Sequence, residues 1–201
     1  SDLQLDTLIQ QIINGVMLGS IYALIALGYT MVYGILRIIN FAHGDILMVG
    51  ALTTLSGMHA LNAHFPTLPP LAQLGLALVL AMAVCALLAM AVERFAYRRL
   101  RNAPRLAPLI SGIGVSVLLQ TVAMIVWSRN PLMFPQILSM DAIAVTHGSA
   151  AHPPALVTVT GIVTVALAFA VMLGLWLLVE YTRLGRGMRA VAENPRIASL
   201  M

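Results

Sequence analysis

The chain contains no lysine; all eleven of its basic side chains are arginine. It therefore cannot carry the GxxxxGK[ST] loop, whose amine reaches the phosphates of a bound nucleotide, and a P-loop ATPase is excluded. Charge of either sign is scarce. Only 9% of the 201 residues are charged while 60% are hydrophobic, giving a mean hydropathy of +0.94, which no water-facing globular surface tolerates. The single cysteine, Cys85, lies inside an apolar run, so no internal disulfide forms and a small buried hydrophobe is its expected role. GxSxG and HExxH are both missing, so neither a membrane hydrolase nor a zinc protease is indicated. Aromatic residues are few and are not interleaved with the arginines; a pI near 9.8 thus reflects membrane topology and anionic headgroups, and no nucleic-acid partner is expected.

What the sequence does have is apolar runs that approach the roughly 20 residues needed to cross a bilayer. Five are present: 8–36, 46–61, 71–92, 107–127 and 155–179. No strand-like alternation competes with them, so the expected fold is an all-α polytopic membrane protein with five transmembrane helices. The first run exceeds one span, and Gly28 and Gly34 are places where its helix could bend or stop.

Arginine sets the expected orientation. Arg94, Arg98, Arg99, Arg101 and Arg105 follow the third run, Arg183, Arg186, Arg189 and Arg196 follow the fifth, and Arg37 separates the first two. If every run crosses once, these share a side and Arg129 alone faces the other, so the rich side is expected to be cytoplasmic and the N-terminus periplasmic. That terminus, with Asp2 and Asp6, lacks a basic leader and is expected to be a mature end.

Small residues at four-residue spacing, Gly15, Gly19 and Ala23, form one ridge suited to close helix approach. Gly112, Ser116 and Gln120 form another, where the Gln120 amide lies deep enough to require a partner; it serves either as packing glue or as a polar contact on a substrate path. His59, His64, His147 and His152 fall in or beside the expected external loops. Their i to i+5 spacing does not suit a helical zinc pair, and no metal site is expected.

The stretch GILRIINFAHGDILMVGA, residues 34–51, crowds Arg37, Asn40, His43 and Asp45 into nine positions. Arg37 is placed to snorkel and to meet the negative end of its helix dipole. Gly44 would supply the re-entry turn, and Asp45 would cap the second helix. The functional reading makes Asn40, His43, Gly44 and Asp45 part of a broken-helix site beside a translocation path. The two readings are compatible.

The run NGVMLGSIYALIALGYTMVYGILRIINFAHGDILMVGA resembles the N-terminal signature of LivH-type permeases of branched-chain amino-acid ABC importers. ERFAYRRLR, LAPLISGIGVSVLLQ and GRGMRAVAENPRIASLM are similar to later parts of that family, in the same order. The resemblance implies an inner-membrane transport subunit, not itself an enzyme, that moves branched-chain amino acids or a related small polar substrate such as urea or a short amide. It further implies a second related permease, two cytoplasmic ATPase subunits that use ATP and Mg, and a periplasmic substrate-binding protein. The chain itself would bind no cofactor and hold no catalytic residue. Family members continue into further membrane helices, so residues 1–201 are expected to form one permease domain that is incomplete at its C-terminus.

In the tail, 183–201, Met188, Val191 and Ala192 share one face of a short helix while Arg186, Arg189 and Glu193 lie elsewhere. Asn194 would cap a further turn begun by Pro195. Such a helix suits a groove on a partner, which the resemblance makes the ATPase, or else an interfacial position on lipid. Two rival functions are a secondary transporter using His43 and Asp45 as a proton relay, and a non-transporting scaffold that recruits a cytoplasmic protein through its arginines.

Overall fold

A computed structural model describes residues 2–138, 141–146 and 153–199; His147 and His152 lie outside the described residues. Among the described residues, five helices are long and apolar enough to cross a membrane. This is the all-α polytopic architecture expected from the sequence. The chain divides into two compact units, Ser1–Arg37 with Leu138–Met201, and Ile38–Ile137.

The first unit is built on α1 (Asp2–Leu36) and α5 (Val159–Tyr181), followed by α6 (Arg183–Glu193) and the single turn α7 (Pro195–Ala198). α1 runs unbroken through Gly28 and Gly34, so neither glycine stops it. It ends instead at Arg37, which has a φ of 54°, the left-handed conformation that commonly closes helices, and whose N–H bonds Tyr33 O at 2.8 Å. A short antiparallel ribbon pairs β1 (Ala142–Ala144) with β2 (Leu156–Thr158) ahead of α5. Gln10 on α1 clamps that ribbon: its Nε2 donates to Leu156 O at 3.1 Å and its Oε1 accepts from Leu156 N at 2.6 Å, so one side-chain amide replaces a neighbouring strand's peptide. Thr158 then caps α5 by accepting from Gly161 N at 3.1 Å.

Thr182 separates α5 from α6 and caps the latter, its Oγ1 accepting from Gly185 N at 3.1 Å. The reversal is tight. A Cβ on Gly185 would sit 2.1 Å from Val179 O and 2.4 Å from Leu178 O, both backbone atoms that cannot step aside. Asn194 Oδ1 accepts from Arg196 N at 3.1 Å with Pro195 opening α7, as the sequence led us to expect.

The second unit contains α2 (His43–His64), α3 (Pro70–Val92) and α4 (Leu106–Val126). α2 and α3 pack antiparallel through small residues: a Cβ on Gly57 would meet Ala77 Cβ at 3.1 Å, and one on Gly50 would meet Cys85 Sγ at 2.9 Å. The Cys85 thiol donates to Ile46 O at 3.5 Å across this seam and is half-buried. Cys85 is thus a small packing residue, as expected. α3 widens into a π-helical turn over Glu93–Tyr97 and tightens over Arg98–Leu100 before α4. α2 and α4 run in the same direction, since Asp45 reaches Ser116 and Ser56 Oγ accepts from Trp127 Nε1 at 2.7 Å, both pairs being offset by 71 positions.

Gly185→Ala is expected to destabilise the protein by about 1–3 kcal/mol, the range for overpacking, seen as a lower thermal midpoint in detergent. Gly187→Ala, where a Cβ meets nothing within 4 Å, is expected to leave the midpoint unchanged or raise it slightly.

Candidate functional site

The polar residues of the opening stretch converge in the second unit, although the geometry differs from a capped turn. Ala42, not Asp45, occupies the N-cap of α2, and no side chain caps that helix. Asp45 lies inside the first turn, where a negative charge already complements the helix dipole. Its carboxylate is drawn sideways by stronger partners. Ser116 donates to Oδ2, and Gln120 Nε2 donates to Oδ1 at 3.0 Å and approaches Ser116 Oγ at 3.3 Å. Gly44, expected to form the turn, is an exposed helical residue without positive φ.

The turn itself belongs to Asn40. Its Oδ1 accepts from Ala42 N at 3.0 Å, and its carbonyl accepts from His43 N at 3.2 Å, folding the linker back on itself in an Asx-type turn. Tyr97 Oη donates to the same Oδ1 at 3.0 Å. Tyr97 is 5% exposed, and a Cβ on Gly112 would fall 2.6 Å from its hydroxyl, so that glycine makes room for the ring to reach Asn40. Both Tyr97 and Gly112 lie near Asn40 through the π turn and the start of α4 respectively. Sequence reasoning passed over Tyr97. The available signal was an aromatic with a polar tip at the end of an apolar run, which requires a hydrogen-bond partner once buried.

These contacts fix how deep α2 begins. Ser116 is ten residues past Leu106, the first residue of α4, or about 15 Å along that helix at 1.5 Å per residue. The N-terminal turn of α2 therefore lies well inside the apolar length of α4, and the irregular linker before it occupies a depth where lipid could satisfy none of its backbone groups. Asn40 and Tyr97 satisfy part of that need internally. Asp45 is 9% exposed and takes neutral donors; the ion pairs among the described residues are Arg98–Glu93, Arg101–Glu93 and Arg189–Glu180. Gln120 is exposed on the far side of its contact, whereas Ser116 and His43 are half-buried.

The tail residues are distributed differently from the expected docking face. Met188, Arg189 and Ala192 line a cavity of about 180 Å³ with Met31, Gly34, Ile35 and Val179, so they face α1 and α5 of their own unit. Val191 is half-buried, Arg186 and Glu193 are exposed, and Leu184 at 64% exposure is the most open apolar side chain of α6. Arg189 binds Glu180 through both its carboxylate (3.3 Å) and its carbonyl (3.1 Å). Arg37 does meet a helix C-terminus, but that of α6 and not its own: Nη2 donates to Ala192 O at 3.1 Å. The small-residue ridge at Gly15 and Gly19 is uncovered, with nothing within 4 Å of an added Cβ at either position. His59 and His64 are exposed near the end of α2, and His64 Nδ1 lies 2.9 Å from Ala60 O.

Apolar spans, a helix that starts within the layer, and a carboxylate held there by polar side chains define a polytopic membrane protein with a polar break inside its helical bundle. The family described as "Branched-chain amino acid transport system / permease component" matches residues 11–201, and the chain belongs to it. It is 37% identical over 193 residues to the high-affinity branched-chain amino acid transport system permease protein BraD of Pseudomonas aeruginosa, covering 96% of this chain and 62% of that protein. The proteins named LivH from Salmonella typhimurium and Escherichia coli K12 are 38% identical over 194 residues, covering 96% of this chain and 61% of each. The chain thus spans about three-fifths of the length of these curated relatives. No solved structure matches it.

Because the Asp45 carboxylate answers two donors on α4, Asp45→Ala is expected to cost about 1–3 kcal/mol, the penalty for donors left without a partner away from water. A cap loss alone would be nearer 1 kcal/mol. A double-mutant cycle of Asp45→Ala with Gln120→Ala, read by thermal denaturation in detergent, is expected to give a coupling energy of about 0.5–3 kcal/mol; additivity within error would remove the contact from the account.

Proposed function

We propose that this chain is a membrane-spanning permease subunit of an ABC importer that moves branched-chain amino acids across the bacterial inner membrane. The observation that carries the reading is the start of α2 beside the middle of α4, with Asp45, Ser116 and Gln120 gathered at that depth. Transporters tolerate irregular backbone within the bilayer where it faces a cavity, and they place polar substrate contacts at such breaks. The chain is powered in trans. These residues hold no lysine for a phosphate loop, and kinship with ABC permeases suggests the remaining parts: two ATPase subunits using ATP and Mg on the cytoplasmic side, a second related permease that completes the pathway, and a periplasmic binding protein that delivers the cargo.

The arginine distribution supports an orientation with Arg98 to Arg105 and the α6–α7 segment in the cytoplasm and Asp141 in the periplasm. α6 then carries exposed Leu184 and half-buried Val191 along the edge of the same face whose Met188 and Ala192 line the cavity. This edge is the surface offered to the ATPase, and Arg186, exposed elsewhere on the helix, adds positive charge to the approach. Met188 contributes from within, by seating α6 on α1 and α5.

A reporter fused within Arg98–Arg105 is expected to behave as cytoplasmic and one beside Asp141 as periplasmic; the same side for both would break the assignment of α4 as a full crossing. Leu184→Asp and Val191→Asp are expected to release the ATPase on purification while the partner permease stays bound, because each forces a charge into a desolvated contact. Arg186→Gln is expected to change mainly the salt dependence of that association. Retention of the ATPase at wild-type yield in the double aspartate variant would remove α6 from the docking surface. ATP-dependent uptake of labelled leucine, isoleucine or valine in vesicles holding the full complex tests the cargo, and uptake without ATP would point to a secondary transporter.

A further inference from the structure

Arg37 occupies a position that suits glycine better. Its φ of 54° is the only positive value for a non-glycine among the described residues, and left-handed backbone costs an L-residue steric strain that glycine escapes. The backbone contributes a hydrogen bond from Arg37 N–H to Tyr33 O, and the side chain adds a contact that glycine could not make. That side chain crosses to α6, where Nη2 donates to Ala192 O at 3.1 Å. Ala192 is the penultimate residue of α6, among the last carbonyls that no helical N–H can satisfy, at the negative end of the helix dipole. A cation is well matched to it on both counts.

Further attachments of α6 run to the end of α5, while Met188 and Ala192 face α1. Thr182 caps its first turn, Gly185 lies close over Val179 O and Leu178 O, and Arg189 holds Glu180. α6 is therefore hinged at its N-terminal end on α5 and tied to α1 at its C-terminal end through one hydrogen-bonding residue. Between α6 and α1 lies the 180 Å³ cavity lined by Met31, Gly34, Ile35, Val179, Met188, Arg189 and Ala192. The space beneath leaves α6 room to settle or lift about its hinge, and any such movement pulls on Arg37. Three residues further along the chain stands Asn40, which shapes the start of α2.

We propose that Arg37 is a positioning residue for energy coupling: it carries the displacement of α6, driven from the ATPase, into the linker that sets up the polar break of α2. The inference rests on the reading of α6 as the ATPase-facing segment. It separates two roles that a single docking helix would otherwise merge, since Leu184 and Val191 would bind the motor while Arg37 transmits its motion. A long cation still reaches the carbonyl, so a lysine at position 37 can serve in part; a glutamine is uncharged and two side-chain atoms shorter than arginine, and a glycine keeps the left-handed turn but loses the tie.

The test uses the complete assembly, with partner permease, ATPases and binding protein, reconstituted in lipid nanodiscs for hydrolysis and in vesicles for transport. Arg37→Gln and Arg37→Gly are expected to retain the ATPase and hydrolyse ATP at the basal rate. Stimulation by loaded binding protein, and transport per ATP, are expected to fall about tenfold, within the usual range of allosteric coupling. Arg37→Lys is expected to recover most of the loss. Wild-type coupling in Arg37→Gln or Arg37→Gly overturns the proposal, as does loss of the ATPase or of folded protein in both, which would make Arg37 a structural residue only. Failure of the α6 docking reading is distinguishable, because there Leu184→Asp and Val191→Asp leave the ATPase bound whatever Arg37 does.

Discussion

Hydrocarbon offers no hydrogen bonds, and every polar group placed in it must find its partner within the protein. In the second unit this constraint explains most of what is unusual about the helices. Asp45 takes Ser116 and Gln120, Asn40 takes Tyr97 and the backbone of Ala42, and Ser56 takes Trp127. Each bond crosses between elements and fixes their relative height, so α2 is held at a definite depth against α4. An apolar bundle without these residues could slide by a turn at little cost. The polar groups set the register, while the small residues of α2 and α3 provide close contact.

The same economy appears at the end of α6, where a carbonyl without a helical donor and an arginine without an acidic partner satisfy one another. Arg189 does likewise with a carboxylate and a carbonyl of Glu180. Guanidinium groups suit these tasks because they present several donors in a plane and stay charged near a lipid surface. A chain that uses arginine for all its positive charge carries such donors just past the ends of α1, α3 and α5.

The spans are legible because twenty-residue apolar runs have few competing explanations, while their bounds are less so: α1 begins at Asp2 and α2 extends over His43–His64, beyond the apolar runs themselves. The fifth run was read from 155, but Leu156–Thr158 pairs with Ala142–Ala144 and Thr158 begins the helix, a choice that depends on a ribbon formed between distant residues. Gly28 and Gly34 drew attention as breakers, yet the break fell at Arg37, a residue with no local signal for a left-handed turn. Asp45 stands out in the sequence as a lone acid beside an apolar run, but its partners do not. Capping is a local pattern that can be seen in a single stretch, whereas Ser116 and Gln120 are more than seventy positions away and could be matched to it only in three dimensions. Met188 and Ala192 were likewise recognised as one apolar face, but the sequence does not say whether such a face covers a partner or the chain's own helices.

The π turn of Glu93–Tyr97 has a consequence for angular phase. Five residues of ordinary α-helix turn through about 140° beyond a full revolution, so Val92 and Tyr97 would point to different sides of a regular α3. Both are buried, at 7% and 5% exposure, because the wider turn takes up the extra residue and brings Tyr97 back towards the side of Val92. Geometrically the segment behaves as a helix with one residue inserted and then hidden in a bulge. The residues on either side keep a common phase, and the phenol that meets Asn40 is aimed by the insertion.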